Sequence, residues 1–109
     1  MASYLVQVSY TPEAIGALIK KPQDRAAIVA KMVRKLGGRM VGFWMAFGDY
    51  DVVGVIEAPD NVSAAAFALA VAGGGSCKAV KTTPLLTLRE GAAALRKAKG
   101  SGYVPIGAK

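Results

Sequence analysis

The sequence predicts one α+β domain in the element order β-α-β-β-α-β, followed by a basic helix and a tail. Three observations carry this. Four short runs rich in β-branched and aromatic residues occur at 4–10, 39–47, 51–57 and 78–88. Stretches of helical character lie between the first and second runs and between the third and fourth. The second and third runs are separated only by Gly48, Asp49 and Tyr50, which leaves no room for a helix and reads as a hairpin. That order is the split βαβ, or ferredoxin-like, arrangement.

Each element has a local reason. Tyr4-Leu5-Val6-Gln7-Val8-Ser9-Tyr10 gives the first strand. Thr11 then offers a capping hydroxyl, Pro12 fits the first helical position and Glu13 suits the first turn. Pro22 predicts a break or kink near Lys21. From Asp24 the helical pattern resumes, with Ile28, Val29, Met32, Val33 and Leu36 on one stripe and Arg25, Lys31, Arg34 and Lys35 opposite. Gly37-Gly38 stops it. The two hairpin strands are apolar on both faces, so both faces need cover.

Ala58-Pro59-Asp60-Asn61 is a turn ending in a helix cap. Residues 62–72 carry no charge, so the helix they form is expected to be buried or packed in an assembly. Gly73-Gly74-Gly75 ends it. It follows a helix rather than a strand, so it is a connection and not a phosphate loop. Pro84 places the fourth strand at an edge or a bulge. The domain is therefore expected over residues 1–88, with the basic helix and tail over 89–109. Tyr103, Val104, Pro105 and Ile106 are apolar for a frayed end and predict docking on the domain or a neighbour.

Composition narrows the function. Of 109 residues 53% are hydrophobic, many of them Ala and Val, which implies a small-residue core or apolar surface buried against another copy. Helices cover one face of the sheet. Trp44, Val53, Val55 or their neighbours point to the other. Two such sheets facing each other make a dimeric α/β barrel, so a homo-oligomer is expected. Lys and Arg number 14 against 7 acids, but eleven of the basic residues fall on stretches that read as amphipathic helices, and these read as solvated faces. Gly42-Phe43-Trp44-Met45-Ala46-Phe47 echoes an aromatic RNA-binding strand, but it falls on the second strand and has Val41 where a basic residue is wanted. Core packing is preferred and nucleic-acid binding disfavoured.

The lone Cys77 rules out a disulfide framework, and no signal-type leader or membrane-length apolar run is read, so a cytoplasmic location is expected. There is no histidine, which removes His-based triads, bases and metal ligands. No acidic cluster has metal spacing. Neither a metal nor a cofactor is expected.

What remains for chemistry is Phe47-Gly48-Asp49-Tyr50-Asp51-Val52-Val53. In the structural reading, Gly48 takes positive φ, Asp49 and Asp51 accept backbone N–H groups, and Tyr50 buries its ring. In the functional reading, Tyr50 and Asp51 are catalytic groups at the mouth of a cavity, Asp51 acting as general base. Trp44, Phe47, Gly48 and Tyr4 then complete a ligand-binding set.

This combination resembles the GYD family of small bacterial and archaeal proteins. The match rests on Trp44 in an aromatic strand, Gly48-Asp49-Tyr50-Asp51, Val52-Val53 and Glu57-Ala58-Pro59-Asp60. The first strand, the Lys35-Leu36-Gly37-Gly38 helix end and the Ala-rich second helix are also similar, and the likeness spans about residues 3–88. The resemblance implies a fold like that of dimeric α/β-barrel proteins, which include small monooxygenases, isomerases and stress proteins. It implies a homo-oligomer and assigns no activity. The expected function is a homo-oligomeric protein binding a small organic ligand near the loop, as a cofactor-free enzyme or without catalysis. The alternative is a structural, assembly or regulatory interaction protein.

Overall fold

A computed structural model describes residues 1–108; Lys109, the end of the expected tail, lies outside the described residues. The elements are β1 (Ala2–Tyr10), α1 (Pro12–Lys20), α2 (Arg25–Lys35), β2 (Arg39–Met45), β3 (Val52–Ala58), α3 (Asn61–Gly73), β4 (Cys77–Leu85) and α4 (Leu88–Lys99). The strands form one antiparallel sheet in the order β2-β3-β1-β4. This is the ferredoxin-like split βαβ: β3 lies between β1 and β2, and Pro84 sits on an edge strand.

Local chemistry sets the helix boundaries. Thr11 Oγ1 accepts the Ala14 N–H at 3.1 Å and starts α1. Pro22 ends it outright, and Asp24 restarts the chain as α2 by accepting the Ala26 N–H at 3.0 Å. The Pro22 region is thus a break between two helices rather than a kink within one. α2 closes with Gly37 at φ +84°. Gly38 N–H donates to Val33 O and Gly37 N–H to Arg34 O, both at 3.0 Å, the paired bonds of a Schellman cap.

The core lies between the sheet and α2 and α3. Tyr4, Val6 and Val8 of β1 alternate inward with Val52, Ile56 and Ala58 of β3. Val33 from α2 and Ala64 and Phe67 from α3 close over them. The opposite face has no cover among the described residues. Leu5, Val53 and Val55 are half-buried there, and Trp44, opposite Val53, is 58% exposed. The Trp44 indole lies back over Gly42, where a methyl group would collide with the ring.

Several boundaries differ from expectation. β2 stops at Met45, so residues 46–51 form a loop wider than a tight turn. β4 stops at Leu85, although Leu86 and Leu88 continue the apolar run. A capping box prevails over that pattern: Glu90 N–H donates to Thr87 Oγ1 at 3.0 Å and Thr87 N–H to Glu90 Oε1 at 2.9 Å. α3 buries only Ala64 and Phe67 and leaves Val62 and Leu69 largely exposed. α4 has no buried residue and packs substantially on no other helix or strand. Tyr103, Val104 and Ile106 are exposed, so these residues do not dock on their own domain. The radius of gyration is 17.5 Å, against about 13 Å for a compact domain of this length.

Candidate functional site

The loop 46–51 is stitched to the end of β1. Asp51 supplies two of the stitches, its N–H donating to Val8 O and its Oδ2 accepting the Tyr10 N–H, and its carbonyl closes the loop by accepting the Ala46 N–H, each at 2.8 Å. Ser9 Oγ donates to Asp49 O at 2.9 Å, which satisfies a hydroxyl buried under the loop. Tyr50 is half-buried. Gly48 departs from expectation: it has no positive φ and nothing within 4 Å of an added methyl, so its backbone does not require glycine.

The proposed ligand residues do not converge. Tyr4 is in the core, its hydroxyl donating to Asn61 Oδ1 at 2.7 Å. Phe47 is fully exposed in the loop. Trp44 is on the open sheet face, whereas its neighbours Phe43 and Met45 point to the helix side, as strand alternation demands.

A cleft does exist between the sheet and the helices. Its first lobe holds about 240 Å³ between β1, β3, α2 and α3. Val6, Val8, Ile56 and Phe67 form part of its apolar wall, and Arg25 is the one charged side chain lining it. A second lobe of about 320 Å³ shares Tyr10, Arg25, Phe43 and Val52 with the first. Neither lobe is lined by Trp44, Phe47, Tyr50 or Asp51.

The polar groups gather at one end. Tyr10 and Cys77 face each other across β1 and β4. Thr11 N–H donates to Ser76 O at 2.9 Å and holds the two strand ends together. Burial raises the Tyr10 pKa, opposed by the Arg25 guanidinium that faces it. Burial likewise raises that of Cys77, again opposed by Arg25. Both groups are therefore neutral at neutral pH, and the Tyr10 hydroxyl keeps its proton. No local signal joined Tyr10, Arg25 and Cys77, which come from three separate segments. Among the described residues, no three His, Cys, Asp or Glu side chains could share a metal ion.

The Asp51 geometry makes a direct prediction. Asp51→Ala leaves the Tyr10 N–H without its partner and should lower stability in urea unfolding by about 1–2 kcal/mol. Asp51→Asn keeps an amide oxygen acceptor and should cost about half as much. Equal losses would mean that the charge, not the bond to Tyr10, is what the loop needs.

Comparison with known proteins agrees with the fold and bears on function. A family model described as the GYD domain matches residues 4–95, running into α4. The chain is also 31% identical over 78 residues to the glutamine synthetase and cystathionine beta-lyase binding protein of Thermus thermophilus, an alignment covering 72% of this chain and 82% of that protein.

Proposed function

This chain belongs to the GYD domain family, and we propose that it is a homo-oligomeric protein-binding module whose work is association rather than catalysis. The observation that carries this reading is α4. It is a fully capped helix that stands off its own domain and exposes an apolar stripe. Leu88, Ala92 and Leu95 follow helical spacing along that stripe. Arg89 and Arg96 flank it on one side and Lys99 lies at its C-terminal end, which suits a partner with an acidic surface.

The chain then divides by role. Residues 1–88 form the domain that self-associates through its open sheet face, as in a dimeric α/β barrel, and 89–109, together with Leu88 at the head of α4, form the partner-binding arm. The relative's name supports an enzyme as partner. An intracellular location fits such partners and the free thiol of Cys77. No helix among the described residues is long and apolar enough to cross a membrane. Asp51 and Tyr50 serve in this reading to hold the loop. The small-ligand expectation moves with the geometry, from the loop around Asp51 to the cleft beside Tyr10 and Arg25.

The test is to mix the chain with glutamine synthetase and with cystathionine beta-lyase from its own source and follow co-elution. Co-elution with at least one enzyme is expected, and the Leu88→Glu/Leu95→Glu double variant should abolish it. Both side chains are mainly exposed, so thermal stability should stay unchanged. No co-elution, or co-elution insensitive to the double variant, overturns the assignment of α4.

A further inference from the structure

The first lobe of the cleft is divided by polarity. One part is walled by Val6, Ile56, Met32 and Phe67. Tyr10, Arg25, Ser76 and Cys77 also line the lobe. They belong to the end where β1 finishes and β4 begins. A cavity lined only by aliphatic and aromatic groups would accept a neutral hydrocarbon. This one adds a single permanent cation and a phenol that retains its proton.

The Arg25 guanidinium gives one N–H to Gln23 Oε1 at 3.1 Å, and Arg25 and Tyr10 together line both lobes of the cleft. An arginine fork and a neutral hydroxyl donor are a fit for a carboxylate. One competing anion is Asp51, whose Oδ2 already accepts the Tyr10 N–H. Asp24, which lines the second lobe, gives its Oδ1 to the Ala26 N–H. Neither carboxylate pairs with Arg25 in a salt bridge.

We infer that the cleft between the sheet, α2 and α3 binds a small apolar molecule ending in one carboxylate. The hydrocarbon body occupies the lobe walled by Val6, Ile56 and Phe67, and the carboxylate is held by Arg25 and the Tyr10 hydroxyl. At about 240 Å³ the lobe is larger than the roughly 150 Å³ apolar cavities known to take up benzene. The second lobe, opening past Arg25 and Phe43, provides the route in from solvent. The site is independent of α4, so failure of enzyme co-elution leaves it untouched, and its own failure leaves partner binding untouched.

The test is calorimetric titration of the full chain with octanoate and, separately, with 1-octanol. Octanoate should bind, and 1-octanol should bind about ten-fold more weakly or worse, since a charge-assisted hydrogen bond is lost. Arg25→Gln should reduce octanoate affinity to the 1-octanol level and leave 1-octanol binding unchanged. Val71→Phe, which fills the lobe from α3, should remove both. Trp44, the single tryptophan, lies on the far face of the sheet, and its fluorescence should not respond. Equal affinities for the two probes, no octanoate binding at millimolar concentration, or unchanged binding in Arg25→Gln each overturn the proposal. A Trp44 response that saturates with octanoate also overturns it, because it places the ligand on the open face.

Discussion

Trp44→Glu is expected to abolish the self-association proposed above and leave a folded monomer. The open sheet face carries Leu5, Val53, Val55 and Leu85, with Trp44 the largest apolar group on it. Its indole lies back along β2 over Gly42. A buried aromatic group of this kind commonly contributes about 2 kcal/mol or more to an interface, a loss of at least about thirty-fold in affinity on truncation. Glutamate adds the cost of an unpaired charge in the contact. Arg39 and Glu57 pair at 2.9 Å on the same face, and a pair so exposed does little to hold two copies together. Light scattering at micromolar concentration should give a multiple of the chain mass for the native protein and the single-chain mass for Trp44→Glu. Trp44→Phe should stay largely associated. The thermal midpoint of the monomer should still report a cooperative fold, because the core on the helix side does not include Trp44. A native protein that is already monomeric, or a variant with unchanged mass, rules out this face as the contact.

The same alternation explains what the sequence revealed and what it concealed. Thr11, Pro12, Pro22, Asp24 and Gly37-Gly38 act on their immediate neighbours, so the starts and stops of α1 and α2 were legible. The four-strand order followed from a hairpin too short to hold a helix. The end of β4 was misjudged because its apolar run continues through Leu86 and Leu88, while the deciding signal was the Thr87–Glu90 capping box. The candidate site residues are spread apart for a geometric reason. Trp44, Tyr50 and Asp51 are close in sequence, but a strand turns alternate residues to opposite faces. Phe43 and Met45 face the cleft and Trp44 does not. Tyr10 shares the parity of Val6 and Val8, so its inward direction could have been read from β1. Its meeting with Arg25 and Cys77 depends on how α2 and β4 pack, which no local pattern encodes.

The glycines separate backbone necessity from motif membership, and Gly38→Ala is expected to have the largest effect on stability. Gly38 follows the Schellman cap of α2 and passes directly against β3. A methyl group there would overlap the carbonyl oxygen of Glu57 and come within 3.2 Å of Val33 Cγ1. The first obstacle is backbone in the sheet, so no side chain can rotate away. Either the α2–β2 connection lifts off β3 or the Gly38 N–H bond to Val33 O breaks. The loss in urea unfolding should be about 3 kcal/mol or more, in the range reserved for overpacking and broken caps. Gly37→Ala has ordinary space beside Pro59 and suffers only from φ +84°, a cost of about 1–2 kcal/mol. Gly16→Ala has nothing within 4 Å and lies inside α1, so it should stabilise by about 0.5–1 kcal/mol. Gly48→Ala belongs to the motif yet shares neither constraint, and its stability should change by less than about 0.5 kcal/mol. If Gly48→Ala nevertheless weakens self-association or enzyme co-elution, the glycine serves the close approach of another chain to this loop. If Gly38→Ala proves as mild as Gly48→Ala, the close approach of the α2–β2 connection to β3 is wrong.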